Sequence, residues 1–147
     1  MEQLIASHSY PALFLLSFLA STLLPLGSEW LLVLLVLRRG DPLLAVAVAT
    51  AGNYLGACTT YLIGLYGGTL LVRRVLRIDE AAEDRAKRVY RRYGAWSLLF
   101  SWLPVVGDPL CLVGGLLRVG FGRFSLLVGS GKLLRYAAVA WLTLQSN

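Results

Sequence analysis

Leu24-Pro25-Leu26-Gly27-Ser28-Glu29 and Leu103-Pro104-Val105-Val106-Gly107-Asp108 interrupt an otherwise apolar chain, and they align with each other. Pro25 and Pro104 are 79 positions apart, as are Glu29 and Asp108. At each break proline withdraws a backbone donor, glycine frees the chain and a carboxylate follows. In the second break Pro109 comes directly after the acid. The same offset carries Arg39 onto Arg118, Gly52 onto Gly131 and Asn53 onto Lys132. Each half therefore reads as an apolar segment broken at Pro-x-x-x-acid, a basic loop, and a span with a polar residue 24 positions after the acid. Leu-Pro alone would be a coincidence; five features aligned without a gap predict an internal repeat.

The rest of the composition decides the solvent. Of 147 residues, 57% are hydrophobic and 15% charged, against about 45–50% and about 25% in ordinary soluble domains. A chain this short has too much surface to hide so much apolar side chain from water. Disorder is excluded by the same balance, and two cysteines do not make a disulfide scaffold. Cys58 and Cys111 sit inside apolar runs and read as small core residues. The expected class is an all-α integral membrane protein of one domain, residues 1–147. Its N-terminus lacks the basic region and cleavage site of a signal peptide, and a bacterial-type inner membrane is the expected location.

Four apolar stretches fill the chain. The first, Tyr10 to Leu37, is cut at the first break; its second arm, Trp30 to Leu37, has eight residues, whereas a helical crossing needs about 20. A re-entrant hairpin, or one broken helix, fits better than two crossings. Pro42 to Val72 has no charged residue and is long enough to cross. Gly52-x-x-x-Gly56 and Gly64-x-x-Gly67-Gly68 smooth one face of it, for which helix packing is at least as good an explanation as ligand contact. Arg73 to Arg92 carries eight basic and four acidic residues. Ile78, Ala82, Val89 and Tyr93 recur at near-helical spacing, which predicts an amphipathic helix on the cytoplasmic surface. The acids precede the bases in it, as the helix dipole prefers. The third stretch, Gly94 to Leu117, is cut at the second break, and the fourth, Phe124 to Leu144, contains Lys132 and Arg135. The layout predicts two repeats, about residues 10–72 and 94–144, joined by a polar linker helix, 73–92.

Placing that linker in the cytoplasm puts Arg118 and Arg123 on the same side and Arg38 and Arg39 outside. Local positive-inside bias is violated at the latter pair, yet the result is an inverted repeat with hairpins dipping in from opposite faces. Broken helices meeting near the midplane are how transporters build a site.

Glu29 and Asp108 lie at the hairpin tips, where an unpaired charge is costly. Arg118, Arg123, Lys132 and Arg135 are the available partners, and Lys132 and Arg135, three apart, share a helix face. Mutual neutralisation would account for any one of these residues; six charges and two mirrored breaks point to a site. Buried carboxylates can carry protons, and a surplus of cations, with Arg bidentate, suits a phosphate. A phosphate on lipid tails needs only its head shielded on crossing. Enzyme chemistry has little support: His8 is the only histidine, and no cofactor or metal site is expected. Glu29 and Asp108 supply the two carboxylates an intramembrane aspartyl hydrolase needs, but the adjoining motifs do not suggest one.

These motifs resemble the DedA family, also called the SNARE-associated or VTT-domain superfamily, and most closely its short YqaA-like branch. Pro25-Leu26-Gly27-Ser28-Glu29 is similar to the family's Pro-x-x-(Gly/Ser)-Glu. Gly52-Asn53-x-x-Gly56-x-x-x-x-Tyr61-x-x-Gly64-x-x-Gly67 is similar to its Gly-x-x-x-Gly…Tyr-x-x-Gly-Arg-x-x-Gly, and Tyr93-Gly94 opens the second hairpin. Ser101 to Asp108 and Gly131-Lys132-Leu133-Leu134-Arg135-Tyr136 look like the branch. The resemblance covers nearly the whole chain. It implies opposed re-entrant hairpins and lipid translocation: bacterial members are linked to recycling undecaprenyl phosphate with dependence on proton motive force, eukaryotic relatives to phospholipid scrambling. It makes Glu29 the essential acid and Arg118 and Arg123 the basic residues after the second hairpin. The family's Gly-Arg-Phe-x-Pro-x-x-Arg is here Ser101-Trp102-Leu103-Pro104-Val105-Val106-Gly107, with no Arg at either place, Leu65 replaces the usual Arg after Gly64, and Asp108, Lys132 and Arg135 appear instead.

The resulting expectation is a transporter of an anionic lipid, polyprenyl phosphate or a phospholipid, coupled to protons at Glu29 and Asp108. Arg118, Arg123, Lys132 and Arg135 form the phosphate or counter-ion set; Asn53 and Tyr61 are polar residues of the long span. The rivals are a proton-coupled exchanger of small solutes or cations, and a non-transporting assembly factor. Partners are lipids and protons, not nucleic acid, and a homodimer is compatible with four short apolar elements.

Overall fold

A computed structural model describes residues 2–21, 28–38, 41–67, 74, 79–103 and 106–146, with side chains from residue 8 onward. The described residues are mostly helical and contain no strand. They form α1 (Glu2–Ala20), α2 (Ser28–Leu37), α3 (Pro42–Tyr66), α4 (Glu80–Tyr93), a tight 3-10 segment (Gly94–Trp102), α5 (Gly107–Leu116) and α6 (Phe121–Gln145).

The element lengths repeat. The short arms α2 and α5 have 10 residues each and the long helices α3 and α6 have 25 each. Both pairs begin and end 79 positions apart, the offset read from the breaks. A ten-residue helix is about 15 Å long, half the ~30 Å of a bilayer's hydrocarbon, so neither arm can cross alone. Pro25, Gly27 and Pro104 fall outside the described residues, as do Arg39, Gly68, Arg73 and Ile78. On their flanks α1 ends at Ala20 and α2 begins at Ser28, while Gly107 opens α5 and Pro109 sits in its first turn, where the missing N–H leaves no bond unmade. α3 starts at Pro42 because Asp41 caps it, accepting from Leu43 N at 2.9 Å and Leu44 N at 3.4 Å.

Asn53 accepts a hydrogen bond from the side chain of Lys132, and each is the twelfth residue of its 25-residue helix. Tyr54 bonds Ser125, and Tyr61 packs at a tilt against Phe124 with ring centroids 4.4 Å apart. Contacts advance along α3 as they retreat along α6, so the two long helices run antiparallel. The arms are exchanged between repeats: α5 packs mainly on α3, and α2 packs on α6 as well as on α3. Apolar packing divides accordingly, with Leu13, Leu32, Ala45, Ala49 and Ala140 at one end and Ala57, Leu98, Leu110, Phe124 and Val128 at the other.

Two elements differ from the sequence expectation. α1 starts at Glu2 rather than near Tyr10 and carries His8 and Pro11 within it. α4 starts at Glu80, with Asp79 accepting from Ala82 N at 2.8 Å, and its inward face is Ala86, Val89 and Tyr90 rather than a stripe ending at Tyr93, which is exposed. That face is consumed by Leu98, Leu110 and Cys111 of the second repeat. Protein packing, not a free membrane surface, therefore sets the helix's rotation. Glu83 is turned inward on the same side and paired with Lys87 at 2.6 Å.

Close approach explains the long-span glycines. A Cβ on Gly52 or Gly56 would lie 2.4 Å from Phe14 O or 2.6 Å from Phe18 O of α1, and one on Gly64 2.4 Å from Leu112 O of α5. Gly67 stands just past α3, its N–H donating to Ile63 O at 2.7 Å. The outer surface carries Trp30, Leu43, Tyr66, Leu126, Leu134 and Trp141, each more than half exposed. Such a surface suits hydrocarbon and not water. α3 is long and apolar enough to span a membrane; α6 is equally long, and its Lys132 is turned into the protein, only 3% exposed.

Candidate functional site

The N-terminal ends of both short arms open onto one polar cavity of about 40 Å³. Its wall includes Ser28 and Glu29 from α2, Asp108 from α5, Asn53 from α3, and Lys132, Arg135 and Tyr136 from α6. Ser101 of the 3-10 segment, with Ala20 and Leu103, completes it. Two carboxylates and two cations thus face a volume with room for little more than water. Helix N-termini add partial positive charge on the same side, which favours each arm's own acid and any incoming anion.

The polar contacts run across the repeat boundary. Lys132 Nζ donates to Asn53 Oδ1 and, at 3.2 Å, to Ser21 Oγ. Ser21 donates in turn to Asp108 Oδ1 at 3.2 Å, so its hydroxyl stands between the lysine and the acid. Asn53 Nδ2 is held by Ser17 O at 3.0 Å, which fixes the amide with its oxygen toward Lys132. On the other side Arg135 Nη2 pairs with Glu29, while its Nη1 donates to Trp102 O at 2.8 Å. Ser28 and Tyr136 share a hydrogen bond at 2.9 Å. Ser101 Oγ is buried without a partner among the described residues, an unspent donor and acceptor in the cavity wall.

Of the residues singled out from sequence, the structure brings Glu29, Asp108, Asn53, Lys132 and Arg135 together. It holds Arg118 and Arg123 apart. Arg123 is nine residues before Lys132 on α6, about 14 Å along the axis, and both arginines are exposed at the α5–α6 corner. Arg118 takes φ 53° there, and its N–H bonds Gly115 O while Val119 N–H bonds Gly114 O, both at 3.0 Å. Those are the paired bonds that close a helix C-terminus. Tyr61 also lies outside the cavity, donating to Val119 O and so bracing the same corner. Gly52, Gly56, Gly64 and Gly107 touch backbone carbonyls of neighbouring elements.

Ser21, Ser28, Ser101 and Tyr136 were not singled out as site residues. Tyr136 carried a usable signal, since it lies four residues after Lys132 and shares its helix face. Among the described residues no group of three or more His, Cys, Asp or Glu side chains is placed to hold a metal ion.

The VTT domain profile matches residues 5–144. The chain is 43% identical to inner membrane protein YqaA of Escherichia coli K12, over 91% of this chain and 90% of that protein. It is 38% identical to an uncharacterised protein of Haemophilus influenzae, over 93% and 88%, and 25% identical to membrane protein YbfM of Bacillus subtilis, over 91% and 88%. No solved structure matches it. With a profile match over nearly its whole length and close relatives in the inner membrane, the chain belongs to the VTT-domain, or DedA, family and is a multi-pass inner-membrane protein.

Proposed function

We propose that this protein translocates an anionic lipid, polyprenyl phosphate or a phospholipid, across the inner membrane, with proton movement at Glu29 and Asp108. The observation that carries the reading is the convergence of two half-length helices, one from each repeat, on a single cavity holding two acids and two cations. Half-helices whose positive ends face an anion site are the transporter arrangement. The antiparallel long helices and exchanged arms support an inverted repeat, with α2 and α5 as the inner arms of hairpins entering from opposite faces.

In this reading Lys132 and Arg135 neutralise the phosphate during crossing, and Asn53 orients Lys132. A phosphate that takes Arg135 leaves Glu29 without its partner, and a proton then replaces the lost charge. Arg118 and Arg123 act earlier, attracting the headgroup at the membrane face. The tails stay in the bilayer, so the small polar volume need hold only the head once the arms part.

The same small volume favours a second reading, proton-coupled exchange of a small solute or cation. Reconstitution separates the two. Purified protein in liposomes is assayed for flip of labelled polyprenyl phosphate with and without a pH gradient, alongside Glu29→Gln and Arg135→Gln variants checked for folding. The lipid reading expects flip that depends on both residues and responds to the gradient. Flip indifferent to the gradient would remove the proton from the mechanism, and a folded wild type that flips nothing would leave the small-solute exchanger.

A further inference from the structure

Behind Arg135 lies a second, larger cavity of about 390 Å³, lined by Leu99, Trp102, Gly131, Leu134, Arg135 and Ala138. It sits between α6 and the 3-10 segment and is apolar apart from that one arginine. Arg135 is the residue common to both cavities, so it forms the partition between a charged chamber and a hydrocarbon-lined groove. Its volume is within the range of pockets that hold small-molecule ligands, about 300–1,000 Å³.

We propose that this groove binds the hydrocarbon chain of the transported lipid next to its phosphate, with Arg135 at the joint between head and chain. This rests on the lipid reading above and adds to it a chain-binding site. Charge and polarity select the occupant. Arg135 borders both the charged chamber and the apolar groove, and only an amphiphile supplies an anion on one side and a chain on the other. Arg135 uses Nη1 on Trp102 O and Nη2 on Glu29, and its remaining N–H donors are enough to receive a phosphate oxygen before Glu29 is released. Trp102 and Leu134, 42% and 67% exposed, flank the groove and give the chain a flat aromatic wall and an aliphatic one.

The test uses the full-length protein in nanodiscs and a polyprenyl phosphate bearing a diazirine on the isoprene unit next to the phosphate. After irradiation the labelled residues are mapped by mass spectrometry. Label should concentrate on Leu99, Trp102, Leu134 and Ala138. Unlabelled polyprenyl phosphate should compete for it, and the same polyprenol without phosphate should not. Ala138→Trp, which fills the groove, and Arg135→Gln, which removes the anchor, should each cut it about tenfold, while Ala137→Trp, one position round the helix, should not. Label spread evenly over the outward-facing Trp30, Leu126 and Leu142 would overturn the proposal without requiring any variant to fold. The two readings fail separately. Flip in liposomes without groove labelling sinks the chain site and keeps the transporter; groove labelling without flip does the reverse.

Discussion

In the first repeat the acid that opens the short arm, Glu29, reaches across to a guanidinium; in the second, Asp108 at the equivalent position meets a hydroxyl. The offset explains the difference. Arg135 corresponds to Gly56, and a Cβ on Gly56 would lie 2.7 Å from Ser21 Cβ. α1 lies against α3 at both Gly52 and Gly56, leaving no space for a long side chain, and Ser21 at its end occupies the place. The 3-10 segment presses on α6 at Gly131, where a Cβ would lie 2.8 Å from Leu99 O. One turn further on the gap stays open, and Arg135 runs through it with the apolar groove alongside. Equal element lengths thus give unequal surroundings for the two acids, one paired with a cation and partly exposed, the other linked to its cation through Ser21.

The largest expected effect comes from breaking the point where the repeats meet. Lys132→Met strands Asn53 Oδ1 and leaves Ser21 and Asp108 without their cation, and removing one partner of a buried charged network costs about 3–5 kcal/mol. Asn53→Leu should also destabilise. Because the two side chains face each other, the double variant should cost less than the sum of the singles. Equilibrium unfolding in mixed micelles measures all three, and strict additivity would show that the Asn53–Lys132 contact contributes nothing.

Next is the contact that makes the halves differ. Gly56→Ala pushes α3 off Phe18 O and Ser21, an overpacking worth about 1–3 kcal/mol of destabilisation. Gly122, in α6, has nothing within 4 Å of a built Cβ. There alanine should be neutral or should stabilise by up to about 1 kcal/mol, through helix propensity alone. If both substitutions had the same sign, close approach of α1 would not be what excludes a side chain at position 56.

How far these features could be read in advance varies with their physical origin. The breaks, the offset and the long uncharged span leave marks on composition and spacing, so the short arms and α3 were legible from Pro25, Pro104 and the uncharged run that starts at Pro42. Lys132 and Arg135 were legible as a pair because i and i+3 share a helix face. Ser21 and Ser101 were not: a lone serine in an apolar run has no periodic signature, and its neighbours are set by how two helices dock. The separation of Arg123 from Lys132 was available in the sequence all along, since nine residues of one helix span about 14 Å. The start of α1 and the rotation of α4 depend on tertiary partners that local spacing does not encode.

Cutting the two acid contacts separately sharpens the comparison. Ser21→Ala removes the hydroxyl between Asp108 and Lys132, and an unsatisfied hydrogen bond to a charged group costs about 1–3 kcal/mol. Arg135→Gln removes the pairing of Glu29, whose side chain is 42% exposed, and should destabilise less than the change at the fully buried Ser21. Transport should rank them the other way. Losing a charge-assisted contact to the substrate, about 1.5–3 kcal/mol, lowers the rate ten- to a hundredfold. A Ser21→Ala protein that unfolds more easily yet flips lipid at near the normal rate, beside a stable and inactive Arg135→Gln protein, would separate the structural acid contact from the working one. The opposite ranking would reassign the two roles.

The smallest effect on stability is expected at the corner, where Arg118 sits at φ 53°. Glycine takes that conformation without the clash an L side chain suffers, so Arg118→Gly should be neutral or stabilising by up to about 1 kcal/mol, whereas Arg118→Ala keeps the strain and loses the charge. Both variants remove the same cation from the membrane face. If Arg118 gathers headgroups before they reach Lys132 and Arg135, both should need more lipid for half-maximal flip with the maximal rate unchanged, despite their different stabilities. An equal fall in the maximal rate would instead put Arg118 inside the translocation step, and would require the corner to move toward the cavity during the cycle. No change in either quantity would leave Arg118 as a helix terminator whose charge serves only the orientation of the chain in the membrane.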